Sequence, residues 1–241
     1  MKSLKFNLIV CTFLFLIQTS CDLSFLTESI SGEGEVIMEE RKVPDFDGIK
    51  VSSGIDVYLS QGSQIFLEVV ADENLHDIIK TEVRNGILNV YSKRNIWRAK
   101  SKKVYVTLEE INSIKVTSAG DVKSQGTIKT DKLRIDLSSS GDLDLDVDAN
   151  TISCTISSSG DANISGRTNV FHVNLSSAGD LSAYDLYVEK CEISVSSAGN
   201  ARINVSEELE AKASSAGDIY YKGNPKIINT KTSSSGGIHK R

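Results

Sequence analysis

The chain has 241 residues, of which 39% are hydrophobic and 24% charged, a balance typical of a folded protein rather than a disordered one. Two prolines and 17 glycines exclude a collagen-like or linker-rich chain. The formal net charge of −5 gives no basis for a whole-chain attraction to nucleic acid or to an anionic membrane. The length suits a single all-β domain.

Residues 1–20 have the features of a secretory signal peptide. Two lysines precede an apolar stretch, residues 8–17, which is too short to span a bilayer because a spanning helix needs about 20 residues. Ser20 and Cys21 follow as in a bacterial lipobox, where the cysteine is acylated, although Gln18 departs from that pattern. We therefore predict a lipoprotein anchored through Cys21. An ordinary signal peptide followed by a chance cysteine is the alternative.

The predicted signal peptide and lipobox determine the expected location and domain organisation of the protein. We expect export across the inner membrane and a bacterial cell-envelope lipoprotein, at the outer membrane and facing the periplasm or the outside. Residues 21–35 are scattered with Ser, Gly and Glu, which predicts a flexible tether. Residues 36–241 then form one β-solenoid domain, with irregular coils over 36–112 and regular repeats over 113–241.

A repeated motif, Ser-Ser-x-Gly-Asp and its variants, organises the second half of the chain. Its glycines are Gly120, Gly141, Gly160, Gly179, Gly199, Gly217 and Gly236. Apolar and polar residues alternate on both sides of each motif, as in Leu133, Ile135 and Leu137, which indicates short strands with one buried face. Such a unit buries its apolar residues only by stacking on its neighbours. The sequence therefore predicts a right-handed parallel β-helix with coils of about 19 residues.

The same alternation, continued through the motif, predicts the direction of each motif side chain. The aspartate should point outward and the middle serine inward. These serines are Ser118, Ser139, Ser158, Ser177, Ser197, Ser215 and Ser234. Buried hydroxyls need hydrogen-bond partners, so we expect a serine ladder inside the solenoid. The glycine is expected to adopt backbone angles that other residues avoid.

Residues 36–112 contain a distant relative of this motif. The run Ile49–Val57 parallels residues 114–122, and Asn85-Gly86 between two apolar runs predicts a tight hairpin. We interpret this half as irregular coils that begin and cap the solenoid.

Several of these motifs resemble the DUF2807 family, whose members are described as auto-transporter adhesins with a head GIN domain. The matching runs are Arg41–Val51, Gly54–Val57, Ala71–Leu75, Asn85–Leu88 and the Ser-Ser-Ala-Gly-Asp repeats. The resemblance extends over about residues 38–240. It implies a right-handed β-helix on a secreted or lipid-anchored bacterial protein, and it brings no catalytic residues with it.

The corner aspartates form one candidate site. They are Asp121, Asp142, Asp161, Asp180 and Asp218, with Asn200 in the same series. Stacked carboxylates could bind calcium. Alternatively, Asp and Asn cap tight turns by accepting backbone N–H bonds. The motif lacks the glycine spacing of calcium-binding β-rolls, so we predict neither a metal nor a cofactor.

Exposed aromatic residues form a second set of candidates. Tyr184, Tyr187 and Tyr220 could stack on sugar rings, or they are isolated surface aromatics. Trp97 lies among basic residues and is either an exposed binding residue or a side chain that packs over the end of the solenoid.

A polysaccharide lyase is the enzymatic alternative for a β-helix. Such an enzyme needs a groove built from long loops, a general base and usually calcium. The short repeat leaves no room for long loops, and the serine-rich runs have no paired histidine. We therefore predict a non-catalytic, adhesin-like binding or structural module, anchored in a membrane and presenting flat faces to glycan or protein.

Of the four cysteines, Cys11 lies in the predicted signal peptide and Cys21 is the predicted anchor, and the other two test the alignment of the coils. With the coils aligned on their glycines, Cys154 and Cys191 fall on the inward face, two coils apart, which is near 10 Å at about 4.8 Å per coil. A disulfide needs Cα atoms within about 7 Å, so both thiols should be free.

Overall fold

A computed structural model describes residues 29–241, which fold into a parallel β-solenoid. The predicted signal peptide, Cys21 and the first part of the predicted tether lie outside the described residues. The strands are β1 (Ile30–Ser31), β2 (Val36–Glu40), β3 (Gly48–Val51), β4 (Asp56–Gln61), β5 (Phe66–Asp72), β6 (Ile79–Arg84), β7 (Ile87–Ser92), β8 (Ile96–Arg98), β9 (Lys102–Leu108), β10 (Ser113–Val116), β11 (Asp121–Leu137), β12 (Asp142–Ile156), β13 (Asp161–Leu175), β14 (Asp180–Ser196), β15 (Asn200–Ser214), β16 (Asp218–Lys222), β17 (Ile227–Ser233) and β18 (Gly237–Lys240). The 3-10 turn Glu73–Leu75 lies between β5 and β6.

The repeats form the regular part of the solenoid. Strands β11 to β15 have 15 to 17 residues each and pair in parallel, one with the next. Corresponding residues of successive motifs lie opposite each other, as Asp142 does with Asp161. The predicted solenoid and its repeat are confirmed, while the right-handed sense of the coils stays a prediction.

The irregular N-terminal half pairs with the repeats as the similarity between Ile49–Val57 and residues 114–122 predicted. Ile49 of β3 lies opposite Ile114 of β10, and Asp56 of β4 lies opposite Asp121 of β11. Antiparallel strands then close this end, because β2 pairs with β5, β5 with β9 and β6 with β7. The predicted hairpin is confirmed at Asn85 and Gly86, whose φ angles of 52° and 75° suit a tight two-residue turn.

The predicted tether is shorter than the sequence suggested. Ile30 and Ser31 form β1, which pairs with β8, and the amide of Gly32 donates to the carbonyl of Arg98 at 2.7 Å. The chain is therefore held against the solenoid from Ile30 onward rather than from residue 36.

Inward-facing residues stack into columns along the solenoid. One column consists of Leu133, Ile152, Phe171, Cys191, Leu209 and Ile228. All its members are buried except Ile228, which lies in the last coil and is 47% exposed. A single cluster of buried side chains extends from Phe46 to Tyr221.

The prediction of inward-pointing serines is wrong. Ser139 and Ser140 are both exposed and have φ angles of 52° and 59°, whereas the following Gly141 is buried. Two successive left-handed residues interrupt the alternation, so the glycine takes the inward position. A Cβ atom on Gly141 would lie 2.8 Å from the carbonyl carbon and oxygen of Val116 in the preceding coil. Close approach between coils, rather than an unusual φ, requires this glycine.

Candidate functional site

The corner aspartates point outward, as predicted, and form a continuous acidic row on one face of the solenoid. The acidic row consists of Asp56, Asp121, Asp142, Asp161, Asp180, Asn200 and Asp218. Parallel in-register pairing places each member opposite the next, so the spacing is that of neighbouring strands, about 4.8 Å.

A second row runs beside the first, because side chains two residues apart on a strand share a face. This mixed row consists of Tyr105, Tyr58, Lys123, Asp144, Asn163, Ser182, Arg202, Tyr220 and His239. It contains aromatic, acidic, basic and amide side chains. The face therefore offers a varied set of hydrogen-bonding groups on a rigid strand framework.

A shallow trough of about 460 Å³ follows the two rows. Its lining extends from Asp56 and Tyr58 to Asp180 and Ser182, so it crosses β4 and β11 to β14. The strands that form it are joined by tight corners, and no long loop covers this part of the described chain. The trough is open along its length to an extended ligand.

The carboxylates of the acidic row influence one another. Partial loss of hydration, followed by the negative charges of Asp56 and Asp142, raises the pKa of Asp121 above its ordinary value. Partial loss of hydration and the neighbouring Asp161 likewise raise the pKa of Asp142. This side of the trough therefore favours groups that bring positive charge or hydrogen-bond donors.

In the mixed row, Asp144 is held by its neighbours along the row. Its carboxylate accepts hydrogen bonds from Lys123 Nζ at 2.6 Å and from Asn163 Nδ2 at 3.1 Å. The hydrogen bond from Lys123 is the main reason that the pKa of Asp144 lies below its ordinary value. The two walls of the trough thus differ, with carboxylates of raised pKa on one side and an ion-paired carboxylate on the other.

Aromatic pairs lie at both ends of the mixed row. Tyr58 and Tyr105 stack with ring centroids 5.0 Å apart, and Tyr220 stacks on His239 at the same distance. Arg241 lies over the Tyr220 ring, 4.8 Å from its centroid. The two stacked pairs follow from the register, since residues opposite each other on neighbouring strands are close enough for their rings to stack.

The carboxylate of Asp180 bonds to the next coil instead of capping its own turn. Its Oδ1 atom accepts hydrogen bonds from the backbone amide and the side-chain amide of Asn200, at 3.2 and 2.9 Å. The turns themselves close by a backbone bond, as from Gly141 to the carbonyl of Ser138. Among residues 29–241, no three His, Cys, Asp or Glu side chains are grouped to hold a metal ion.

The structure does not bring the four candidate aromatics together. Tyr220 belongs to the mixed row, and the half-buried Tyr184 follows two residues after Ser182 of that row, with Lys222 Nζ 4.1 Å from its ring centroid. Tyr187 is 70% exposed and follows the point after Ala183 where the register between β14 and β15 shifts. Trp97 lies in β8 and is 65% exposed, so the alternative that it packs over the solenoid end is wrong.

Sequence reasoning missed Asp56 of the acidic row and every member of the mixed row except Tyr220. Asp56 could have been found, because aligning Ile49–Val57 with the repeats places it at the position of Asp121. Tyr58 follows by two residues and shares the same face. Tyr105 could not have been placed, because its strand, β9, pairs with β4 across a long and irregular part of the chain.

Comparison with known proteins agrees with this architecture. The model of the family DUF2807, described as "Putative auto-transporter adhesin, head GIN domain", matches residues 45–225. The chain belongs to this family. Among curated proteins, none matches it.

Solved structures share the fold at low sequence identity. A "putative adhesin" from Bacteroides fragilis is 22% identical with a TM-score of 0.81, over 88% of this chain and 100% of the other. A "putative lipid binding protein" from Parabacteroides distasonis is 24% identical with a TM-score of 0.75, over 89% and 100%. A "putative adhesin" from Parabacteroides merdae is 20% identical with a TM-score of 0.72, over 89% and 99%. The family and these neighbours indicate an adhesin-like binding module of the bacterial cell envelope or surface.

Proposed function

We propose that this protein is a non-catalytic, adhesin-like lipoprotein that binds a glycan or a surface protein in the trough between the acidic and mixed rows. The trough is the observation on which the proposal depends. It offers carboxylate and amide acceptors at strand spacing along an open face, which suits the repeated hydroxyl groups of an extended glycan. The aromatic pairs at the ends of the mixed row add apolar edges for sugar rings.

The tight corners argue against the lyase alternative. Each repeat turns within four residues, as from Ser138 to Gly141, so no long loops surround the trough between Gly120 and Gly217. A lyase also needs a general base near a bound metal or another electrophile. A purified sample that depolymerises an acidic polysaccharide would refute the non-catalytic part of the proposal.

A glycan array tests the proposed ligand class. We expect selective binding by the mature chain with Cys21→Ser, and at least tenfold weaker binding after Asp142→Asn and Asp161→Asn, because each carboxylate accepts hydrogen bonds that the amide oxygen replaces poorly. The matched control is Asp77→Asn with Asp185→Asn, two exposed positions outside the trough lining. If the protein binds no glycan on the array but captures a surface protein, and the trough variant loses that capture, the ligand is a protein. Equal loss in both variants would refute the trough as the site.

Mass spectrometry of the native protein tests the anchor separately. We expect an acylated N-terminal Cys21 and loss of the acyl groups in Cys21→Ser. An unmodified N-terminus at another residue would refute the lipoprotein assignment without affecting the array experiment. No helix among residues 29–241 is long and apolar enough to cross a bilayer.

A further inference from the structure

Trp97 faces away from the protein at the point where the described chain begins. In β8, Ile96 is half-buried against the core, whereas Trp97 is 65% exposed. The partner of β8 is β1, with Ile30 opposite Ile96 and Ser31 opposite Arg98. Trp97 therefore lies directly beside the first strand of the described chain.

Basic residues surround this tryptophan. Lys93, Arg94 and Arg98 are exposed, and together with Trp97 they form what we call the β8 patch. Lys93 and Arg94 also line a cavity of about 670 Å³, together with Lys102. The patch is thus locally cationic, although the whole chain has a net charge of −5.

Lys100, close to the patch in sequence, is held by neighbouring segments. Lys100 Nζ donates to the carbonyl of Gly34 at 2.9 Å, between Glu33 and Glu35 in sequence. The buried Asp72 accepts hydrogen bonds from the backbone amides of Lys100 and Ser101. We therefore exclude Lys100 from the patch and base the proposal on the charges of Lys93 and Arg98.

The length of chain before β1 places the patch near the predicted anchor. Ile30 follows Cys21 by nine residues, which reach at most about 32 Å when fully extended. An acylated Cys21 would hold Ile30 within that distance of the bilayer, and Trp97 lies one strand further, about 5 Å away. A tryptophan ring and basic side chains are the groups that partition into the headgroup region of membranes.

We propose that the β8 patch binds the anionic phospholipid surface of the membrane that holds the protein. Trp97 enters the headgroup region while Lys93 and Arg98 contact lipid phosphates. This proposal rests on the lipoprotein assignment for its physiological setting, but the contact itself does not require acyl chains. The contact would place the N-terminal end of the solenoid at the membrane surface.

The single tryptophan makes the contact directly measurable. Trp97 is the one tryptophan of the chain, so its fluorescence reports the patch alone. The mature chain with Cys21→Ser keeps every described strand and is mixed with vesicles of phosphatidylcholine, with or without an equal amount of phosphatidylglycerol. We expect a blue shift and protection from iodide quenching only with the anionic vesicles.

Charge reversal separates a local contact from an effect of net charge. Lys93→Glu with Arg98→Glu should weaken binding to the anionic vesicles by at least about 25-fold, since each basic side chain near such a surface contributes roughly fivefold. The matched control, Lys115→Glu with Lys132→Glu, makes the same change at exposed positions of β10 and β11 and should leave binding unchanged.

Three results would overturn the proposal: no blue shift with anionic vesicles, an equal shift with pure phosphatidylcholine, or equal loss in both charge-reversal variants. The anchor is judged independently by mass spectrometry. Native protein without acyl groups that still shows the shift would refute the anchor and retain the patch. Acylated native protein without the shift would refute the patch alone.

Discussion

At the residue scale, the two cysteines show how well the coil alignment was predicted. Cys154 lies opposite Ile135 and Val173, and Cys191 lies opposite Phe171, in the columns that the glycine alignment assigned to them. Both are buried and free of disulfide bonds. Burial raises the pKa of Cys154 to about 12 and raises that of Cys191 as well, because the thiolate loses its hydration.

We predict that neither cysteine reacts while the protein is folded, since the thiolate is the reactive form. A thiol reagent added near neutral pH to the mature chain with Cys21→Ser, which lacks Cys11, should give no signal until denaturant is added, and should then report two thiols per chain. A Lys132→Cys variant, exposed on β11, serves as the control and should react at once. Rapid reaction of the native thiols, or a disulfide between them, would contradict the observed register.

The serine positions show where the assumption of alternating side chains failed, although the alignment of the coils was correct. Period-two alternation is a property of extended backbone, and Ser139 and Ser140 leave it by adopting φ angles of 52° and 59°. Serine rarely takes this conformation, so the residue type gave no local warning. The reason that glycine, rather than serine, takes the inward position is seen only in the stacked coils, where Gly141 lies close to the backbone of Val116.

At the scale of the element, the corner turn is stabilised by its neighbours. The amide of Ala119 donates to the carbonyl of Ser139 at 3.0 Å, and that of Ser140 donates to Ser158 at 3.2 Å. These bonds continue the ladder of the strands through the turns. They offset the cost of the left-handed residues, which is about 1–2 kcal/mol for each non-glycine residue.

Adjacent substitutions in this turn should have opposite effects on stability. Gly141→Ala should lower the free energy of unfolding by about 2 kcal/mol or more, because the new methyl group meets the Val116 backbone. Ser140→Gly should raise it by up to about 1 kcal/mol, since relief of the left-handed strain exceeds the added entropy of glycine in the unfolded chain. Chemical denaturation measures both. Destabilisation by Ser140→Gly as large as that by Gly141→Ala would refute this account of the turn.

At the scale of the whole molecule, the repeat predicted the stack but not its ends. Equal spacing of the motifs is enough to indicate coils that bury each other. The N-terminal end depends on antiparallel pairs such as β2 with β5, whose partners lie far apart in sequence and have no repeat to align them. At the other end, β17 is exposed along its whole length, and Thr230 and Thr232 occupy positions that are apolar in earlier coils.

A matched pair of substitutions in one column compares the middle of the stack with its end. Ile152→Ala should lower the free energy of unfolding by about 2–5 kcal/mol, because Ile152 is 0% exposed and packed between Leu133 and Phe171. Ile228→Ala should cost about 1 kcal/mol or less, since Ile228 is 47% exposed and has a neighbouring coil on one side only.

Thermal unfolding and hydrogen exchange distinguish the two cases. The stability of a solenoid is close to the sum of the stabilities of its repeats and their interfaces. Ile228→Ala should therefore speed amide hydrogen exchange mainly in β17 and β18. Ile152→Ala should lower the melting temperature and speed amide hydrogen exchange in β11 to β13. Equal destabilisation by the two substitutions would show that Ile228 is covered in solution, and the last coil would then be an interface rather than an open end.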